Sequence, residues 1–284
     1  MKELPLISVI VPVFNGEKYV AQCIENLLYQ SYKHLEIIII NDGSTDHSEA
    51  IASKYPVCII NQANQGLSAA RNAGMNAATG DYIHFFDVDD LINTDFYQEM
   101  LNAVTFADAD MACSGVVYEK GYQNNIYDEC FIAVNADDKI TLCKVWTQGF
   151  VWKYLFKKSF LVDKKLEFHL GRLIEDMAFS LQAVFWANKV VFVPHALYYY
   201  KYRQNSILTN NNKTYRKKRD EDYKFARRFC LDFAKEHDLT ILEEQVDWIQ
   251  YKLLGIPIMK KRMSKVGKTH WLLFGIYALQ RKVL

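Results

Sequence analysis

The 284-residue chain is poor in several signals that would settle its class at once. No Cys-x-x-Cys pair occurs among its six cysteines, which excludes a zinc ribbon or thioredoxin-type motif. Several of them sit in apolar runs as free thiols do, so a reducing, cytoplasmic compartment is expected. No G-x-G-x-x-G follows the first apolar run, which excludes a dinucleotide-binding turn. The net charge of +1 gives no general case for nucleic acid. The late run "WLLFGIYAL" is too short to span a bilayer. The N-terminal apolar stretch is broken by prolines and a turn, unlike a signal peptide. There is no internal repeat and no low-complexity tract.

What is present is the composition of a packed globule, 50% hydrophobic and 24% charged. "LISVIVPVF" (6–14), "LEIIIIND" (35–42), "VCII" (57–60), "DYIHFF" (81–86) and "ADMACSGVVY" (109–118) read as buried strands. Helical stretches separate them: one carries Val20, Cys23, Ile24, Leu27 and Leu28, a second is capped by Ser44, and a third, over 64–80, is stopped by Gly80. Strands alternating with helices predict an α/β fold with a mainly parallel sheet covered on both faces. Such sheets bind ligands beyond the carboxyl ends of their strands. Asn15, Asp42, Asn64, Asp87 and Asp89 all fall at those ends. Beyond residue 120 the alternation fades. An aromatic, basic segment covers 139–165, a helix opens on Glu175 and Asp176, one or two strands occupy 189–207, and the chain from 213 onward reads as helical.

"DVDD" places Asp87, Asp89 and Asp90 within four positions. Aspartates cap helices and form turns, and that explanation stays open. The alternative is a site for a hard cation such as Mn2+ or Mg2+, with the alternating D-x-D aiming two carboxylates from one tight turn. A cation there would neutralise charge building on a departing nucleotide diphosphate.

"VIVPVFNGEKYV", "IIIINDGSTDHS", "NQGLSAARNAG" and "YIHFFDVDDLI", in this order over residues 7–92, resemble the nucleotide-sugar-binding half of family-two inverting glycosyltransferases. That resemblance implies the Rossmann-like GT-A fold: a donor-binding half at 1–118, an acceptor-binding half at 119–210 and a mostly helical, basic extension at 211–284. It also implies transfer of a hexose or N-acetylhexosamine from a nucleotide diphosphate, usually UDP, to a glycan hydroxyl. By position, Pro12, Val13, Phe14, Asn15 and Glu17 match the first donor loop, and Asp42 the acid beside the base. Asn64, Gly66 and Arg71 match the third block, although Arg71 could equally pair with a nearby aspartate. Asp87 and Val88 match the donor side of the D-x-D, and Asp89, with Asp87, the metal ligands. "LIEDMAF" resembles the family's downstream acid pair, with Asp176 as general base and Glu175 as the alternative; helix-start acids are the competing account. Trp152 and Lys153 match an acceptor-side segment, with core packing as the other explanation for Trp152. Arg203, in "YYYKYRQNSI", matches a group reaching the diphosphate. The absence of Q-x-x-R-W and of membrane spans points to single addition rather than processive synthesis. After Asp247 the chain has cations beside apolar residues and no acid, a mix suited to an anionic membrane surface. A polyprenyl-diphosphate-linked acceptor for cell-surface polysaccharide would lie at the inner face of such a membrane. The remaining alternative is a catalytically silent, sugar-nucleotide-binding partner of another transferase.

Overall fold

The computed structural model describes residues 4–119, 123–124, 126–203, 206–207, 209–210, 212–239, 249–253, 256–263, 268–273 and 276–282, with backbone alone for 123–124 and 249–282. Its elements run β1 (Ile7–Val13), α1 (Val20–Leu28), β2 (Leu35–Asp42), α2 (Ser48–Ala52), β3 (Cys58–Gln62), α3 (Leu67–Ala77), β4 (Tyr82–Phe85), β5 (Leu91–Ile92), α4 (Phe96–Phe106) and β6 (Met111–Tyr118). Then come β7 (Gln123–Asn124), β8 (Phe131–Ala133), α5 (Ala136–Leu142), a 3-10 turn (Val151–Lys153), β9 (Tyr154–Lys157), α6 (Lys158–Asp163), α7 (Asp176–Trp186), β10 (Val190–Tyr200) and α8 (Lys213–Glu236).

The main sheet has the order β3-β2-β1-β4-β9-β6-β10-β5. β1 pairs in parallel with β2 and β4, β2 with β3, and β6 with β10. β9 runs antiparallel between β4 and β6, so the six longer-range strands still point their carboxyl ends at one rim. This is the GT-A architecture that the resemblance implies. β1 is buried along its whole length because it has a strand on each side. β4, however, pairs only with Ile7–Ile10, so the two chains part beyond that point. Pro12, which has no N–H to give, lies where that flank has opened. The strand order reverses direction here, from β1–β2–β3 to β1–β4, and a crevice at such a switch point is the expected ligand site.

α3 lies close on β1 because its residues are small: a Cβ on Gly74 would stand 2.2 Å from Ile10 Cγ2. Gly80 is not the helix stop expected of it. α3 ends at Ala77, and Gly80 is needed because a Cβ there would meet Leu6 O and Ser8 Oγ, both at 2.7 Å. Likewise Ser44 caps nothing: α2 begins four residues later, and Ser44 Oγ accepts from the Asn15 N–H at 3.0 Å.

The chain divides into two compact units, Met1–Phe229 and Cys230–Leu284. The C-terminal helix is present as α8. Beyond it, where the sequence reads as helical, the backbone forms a four-stranded antiparallel sheet of β11 (Ile249–Leu253), β12 (Ile256–Met263), β13 (Lys268–Leu273) and β14 (Ile276–Lys282). The tail's basic and aromatic side chains, expected to meet a membrane, lie outside the described residues. No helix among the described residues is long and apolar enough to cross a membrane.

Candidate active site

The rim at the carboxyl ends of β1–β4 is assembled from loops that brace one another. Asn15 adopts a left-handed backbone (φ 50°), and its Oδ1 accepts from Thr45 N at 2.8 Å. Glu17 N donates to Asp46 Oδ2 at 2.9 Å, and Glu17 Oε2 accepts from His47 N at 3.2 Å. The first loop thus carries the turn after β2, while Phe14 remains half exposed. Pro12 and Val13 are buried beneath it.

Asp42, at the end of β2, is buried and fully engaged. Its Oδ1 accepts from Gln62 Nε2 (2.7 Å) and Gln65 N (2.9 Å), and its Oδ2 from Gly66 N (2.8 Å). The carboxylate therefore shapes the loop that opens α3. Gly66 holds φ 88° there, a conformation that costs a side-chain-bearing residue strain. Asn64 stays exposed on the same loop.

Arg71 is the hub. It lies one turn into α3, is 1% exposed, and meets three carboxylates from distant parts of the chain. Its Nη2 donates to Asp87 Oδ1 at 2.9 Å; its Nη1 donates to Glu175 Oε1 at 2.6 Å and also to Asp176 Oδ1. The pairing with a nearby aspartate left open by the sequence is thus what the structure has, extended to the acid pair 104 residues away. Burial works against the guanidinium's charge, but Asp176, Asp87 and Glu175 outweigh it and hold its pKa above the ordinary value.

The acid pair is asymmetric. Glu175, the cap of α7, has a side chain 2% exposed, and its Oε2 is buried without a partner. Asp176, the first residue of α7, is 20% exposed. Burial raises both acids. For Glu175 the neighbouring Asp176 adds to the rise and Arg71 opposes it; for Asp176 the first opposing influence is Arg71. Glu175, the more deeply buried of the two, is pushed up to about 8, while Asp176 is the member with the more open side chain.

Asp89 and Asp87 offer the cation chemistry. Asp87 gives one oxygen to Arg71, and Asp89 gives Oδ2 to Arg203 Nε at 2.5 Å. Asp89 also accepts from its own backbone N–H. Two hard oxygen donors from one turn fit Mn2+ or Mg2+, with phosphate oxygens and water completing the shell. No cluster of three or more His, Cys, Asp or Glu that could hold a metal occurs among the described residues. Burial raises the Asp89 carboxyl and Arg203 counters it. Val88, between the two acids, is buried. Asp90 turns inward: its Oδ2 accepts from Tyr198 Oη at 2.8 Å and its Oδ1 from Lys201 N at 2.7 Å. This tether fixes the end of β10, from which Arg203 reaches Asp89 with its guanidinium 5.7 Å above the Tyr19 ring. Sequence reasoning missed this partner of Asp90, for which the tyrosine run "YYYKYR" was the available signal.

Trp152 and Lys153 lie at the same rim but inside it. Trp152 is 2% exposed, stacked 4.1 Å from Tyr198 and 4.9 Å from Phe150. With the indole buried among stacked aromatic neighbours, no sugar can stack on it in this arrangement. Lys153 is fully buried, its Nζ donating to the carbonyls of Cys143 (2.6 Å) and Gln148 (2.8 Å). Both residues serve the core rather than an open acceptor face.

The fold and sequence resemble those of known proteins. Residues 8–161 match the family model for "Glycosyl transferase family 2", a span that ends just beyond β9. The chain belongs to that family. It is 34% identical over 231 residues to EpsH of Bacillus subtilis (strain 168), covering 74% of this chain and 65% of EpsH. It is 31% identical over 222 residues to glycosyltransferase GlyG of Streptococcus pneumoniae serotype 4, covering 72% and 73%. It spans only 31% of a longer relative, glycosyltransferase GlyA of the same species. Among solved structures, S. aureus TarS 1-349 in complex with UDP-GlcNAc superposes with a TM-score of 0.72 at 21% identity, covering 84% of this chain and 71% of that one. A mannosyltransferase from Pyrobaculum calidifontis in complex with GDP-Man and Mn2+ superposes at 0.56 with 16% identity, covering 81% and 65%. These likenesses concern the fold.

Proposed function

We propose that this family 2 member transfers a hexose or N-acetylhexosamine from a nucleotide diphosphate to a hydroxyl of a glycan, with inversion at the anomeric carbon. The observation that carries this reading is the position of Arg71, whose one guanidinium binds both a D-x-D acid and the acid pair of α7. Donor acids and base therefore converge within one side chain's reach. Asp87 and Asp89 would hold Mn2+ or Mg2+, which supplies charge neutralisation for the leaving diphosphate when bound. Asp176, ionised and open to the crevice, accepts the proton of the attacking hydroxyl as the new bond forms. Glu175 stays neutral behind it. Arg203 is placed to exchange Asp89 for a phosphate oxygen. Phe14, Asn64 and the loop shaped by Asp42 border the place where the base and ribose would lie.

A UDP donor is favoured because the better-superposing neighbour is a UDP-GlcNAc complex. A polyprenyl-diphosphate-linked acceptor at the inner face of a membrane, in cell-surface polysaccharide synthesis, would suit the basic tail. The deciding experiment is a thermal-shift panel of UDP, GDP, dTDP and CMP, each with and without Mn2+. A ligand at 100 times its Kd adds about 2.7 kcal/mol, several degrees in a chain of this size. A UDP shift that requires Mn2+ is the expected result. No shift with any nucleotide would overturn the donor site and return the chain to the silent-partner alternative.

A further inference from the structure

Asp222 is a buried acid on an otherwise solvated stretch of helix. Its side chain is 2% exposed, while its α8 neighbours Asp220 and Glu221 are exposed. A carboxylate is buried at a cost unless donors satisfy it, and three do. Asp222 Oδ2 accepts from Leu173 N at 3.0 Å and from Lys218 Nζ at 2.9 Å; Oδ1 accepts from Arg172 Nη1 at 2.9 Å. Burial opposes its charge, but these bonds to Lys218, Arg172 and the Leu173 N–H hold its pKa below the usual value.

The partners are not scattered. All but Lys218 belong to the short segment between Gly171 and the acid pair. Lys218 Nζ also donates to Gly171 O at 2.8 Å, and the Arg172 guanidinium lies 3.8 Å above the Phe225 ring of α8. From the other side, Ser68 Oγ at the start of α3 donates to Arg172 O at 3.5 Å. Residues 171–173 are thus held through both backbone and side chain. Glu175 and Asp176 follow two and three residues after Leu173, with no regular element in between. A base set 1 Å from its productive place loses much of its effect.

We propose that Asp222 is a positioning residue for Asp176. By clamping 171–173, α8 fixes where α7 begins and hence where the Asp176 carboxylate meets Arg71 and the crevice. This rests on the reading of Asp176 as base. It makes α8 part of the site's support rather than a separate appendage.

The test is hydrogen exchange on the full chain, comparing wild type with Asp222→Asn and Arg172→Met, and with Glu221→Gln as control. Glu221 is exposed, and its recorded partner is Lys217 at 3.9 Å on the same helix. In both clamp variants the amides of 171–177 should exchange at least about tenfold faster, with β1–β4 unchanged. The Mn2+-dependent UDP shift should persist while transfer falls about tenfold or more. Wild-type exchange at 171–177 in both variants would overturn the proposal. So would loosening that spreads equally through β1–β4, because Asp222 would then be a general stability residue. A wild type that binds no nucleotide would remove the donor reading instead; the exchange result would still judge the clamp by itself.

Discussion

Arg203 Nε stands 2.5 Å from Asp89 Oδ2. The guanidinium holds the carboxylate that a divalent cation would need, so cation and arginine compete for one oxygen. Arg203→Gln should therefore bind Mn2+ more tightly than wild type without nucleotide, and bind UDP–Mn2+ more weakly. Calorimetric titration with MnCl2 checks the first half and with UDP the second. Asp89→Ala should lose the Mn2+-dependent UDP shift yet melt near the wild-type temperature, since its charge partner Arg203 is one-third exposed and can be solvated. Equal Mn2+ affinity in wild type and Arg203→Gln would refute the competition.

Arg71 holds three carboxylates at once. Arg71→Met leaves them facing one another in a poorly solvated place. Breaking a buried ion pair from one side costs about 3–5 kcal/mol. Urea unfolding should show a loss of that order, larger at pH 8 than at pH 5, where protonation relieves the repulsion. Arg71→Lys should recover part of the stability, because an ammonium supplies the charge without the fork that bridges Asp87 to the acid pair.

Glu175 gives a pH dependence with a definite sign. Its folded pKa is raised above the ordinary value of 4.5, by burial first and by Asp176 next. Between 4.5 and that raised value the folded chain binds more protons than the unfolded chain. Stability from this group is thus full below the unfolded pKa and is lost as pH rises through the folded one. Glu175→Gln, which still offers Arg71 an oxygen, should be more stable relative to wild type at pH 8 than at pH 5. Denaturation midpoints at the two values measure this, and a variant whose relative stability is the same at both would refute a buried, protonated Glu175.

Trp152 is a core residue by its surroundings. Trp152→Ala should cost about 3–5 kcal/mol in unfolding free energy. Trp152→Phe should cost less and leave nucleotide binding unchanged. A stable Trp152→Ala variant with normal melting would return the indole to an exposed acceptor face.

The parallel order and its rim were legible because apolar strands and small or amphipathic helices alternate with clear periods. The acids at the ends of β2 and β4 follow from that alternation alone. The convergence of Asp87 with Asp176 was not legible, since nothing local says that α7 returns to α3; the family resemblance supplied the residues, and the structure supplied the link through Arg71. Trp152 and Lys153 show the reverse limit. An aromatic and a cation beside a basic run look like surface chemistry, but burial is decided by β9, a four-residue strand hidden inside that segment. Asp222 gave no signal, because "RDEDYK" reads as one solvated acidic patch and only tertiary contact singles out its last acid.

β9 also governs how the chain can be divided. Among the described residues it is the only bridge in the sheet between β4 and β6, and it is made some 35 residues after β6 ends. A polypeptide emerging in order would finish β1–β4 with one flank of β4 unpaired, an open edge ready to join another chain. Residues 1–118, although they carry every D-x-D acid, would then be a sticky half-sheet rather than a module. In the finished sheet β9 closes that seam, pairing with β4 on one side and β6 on the other.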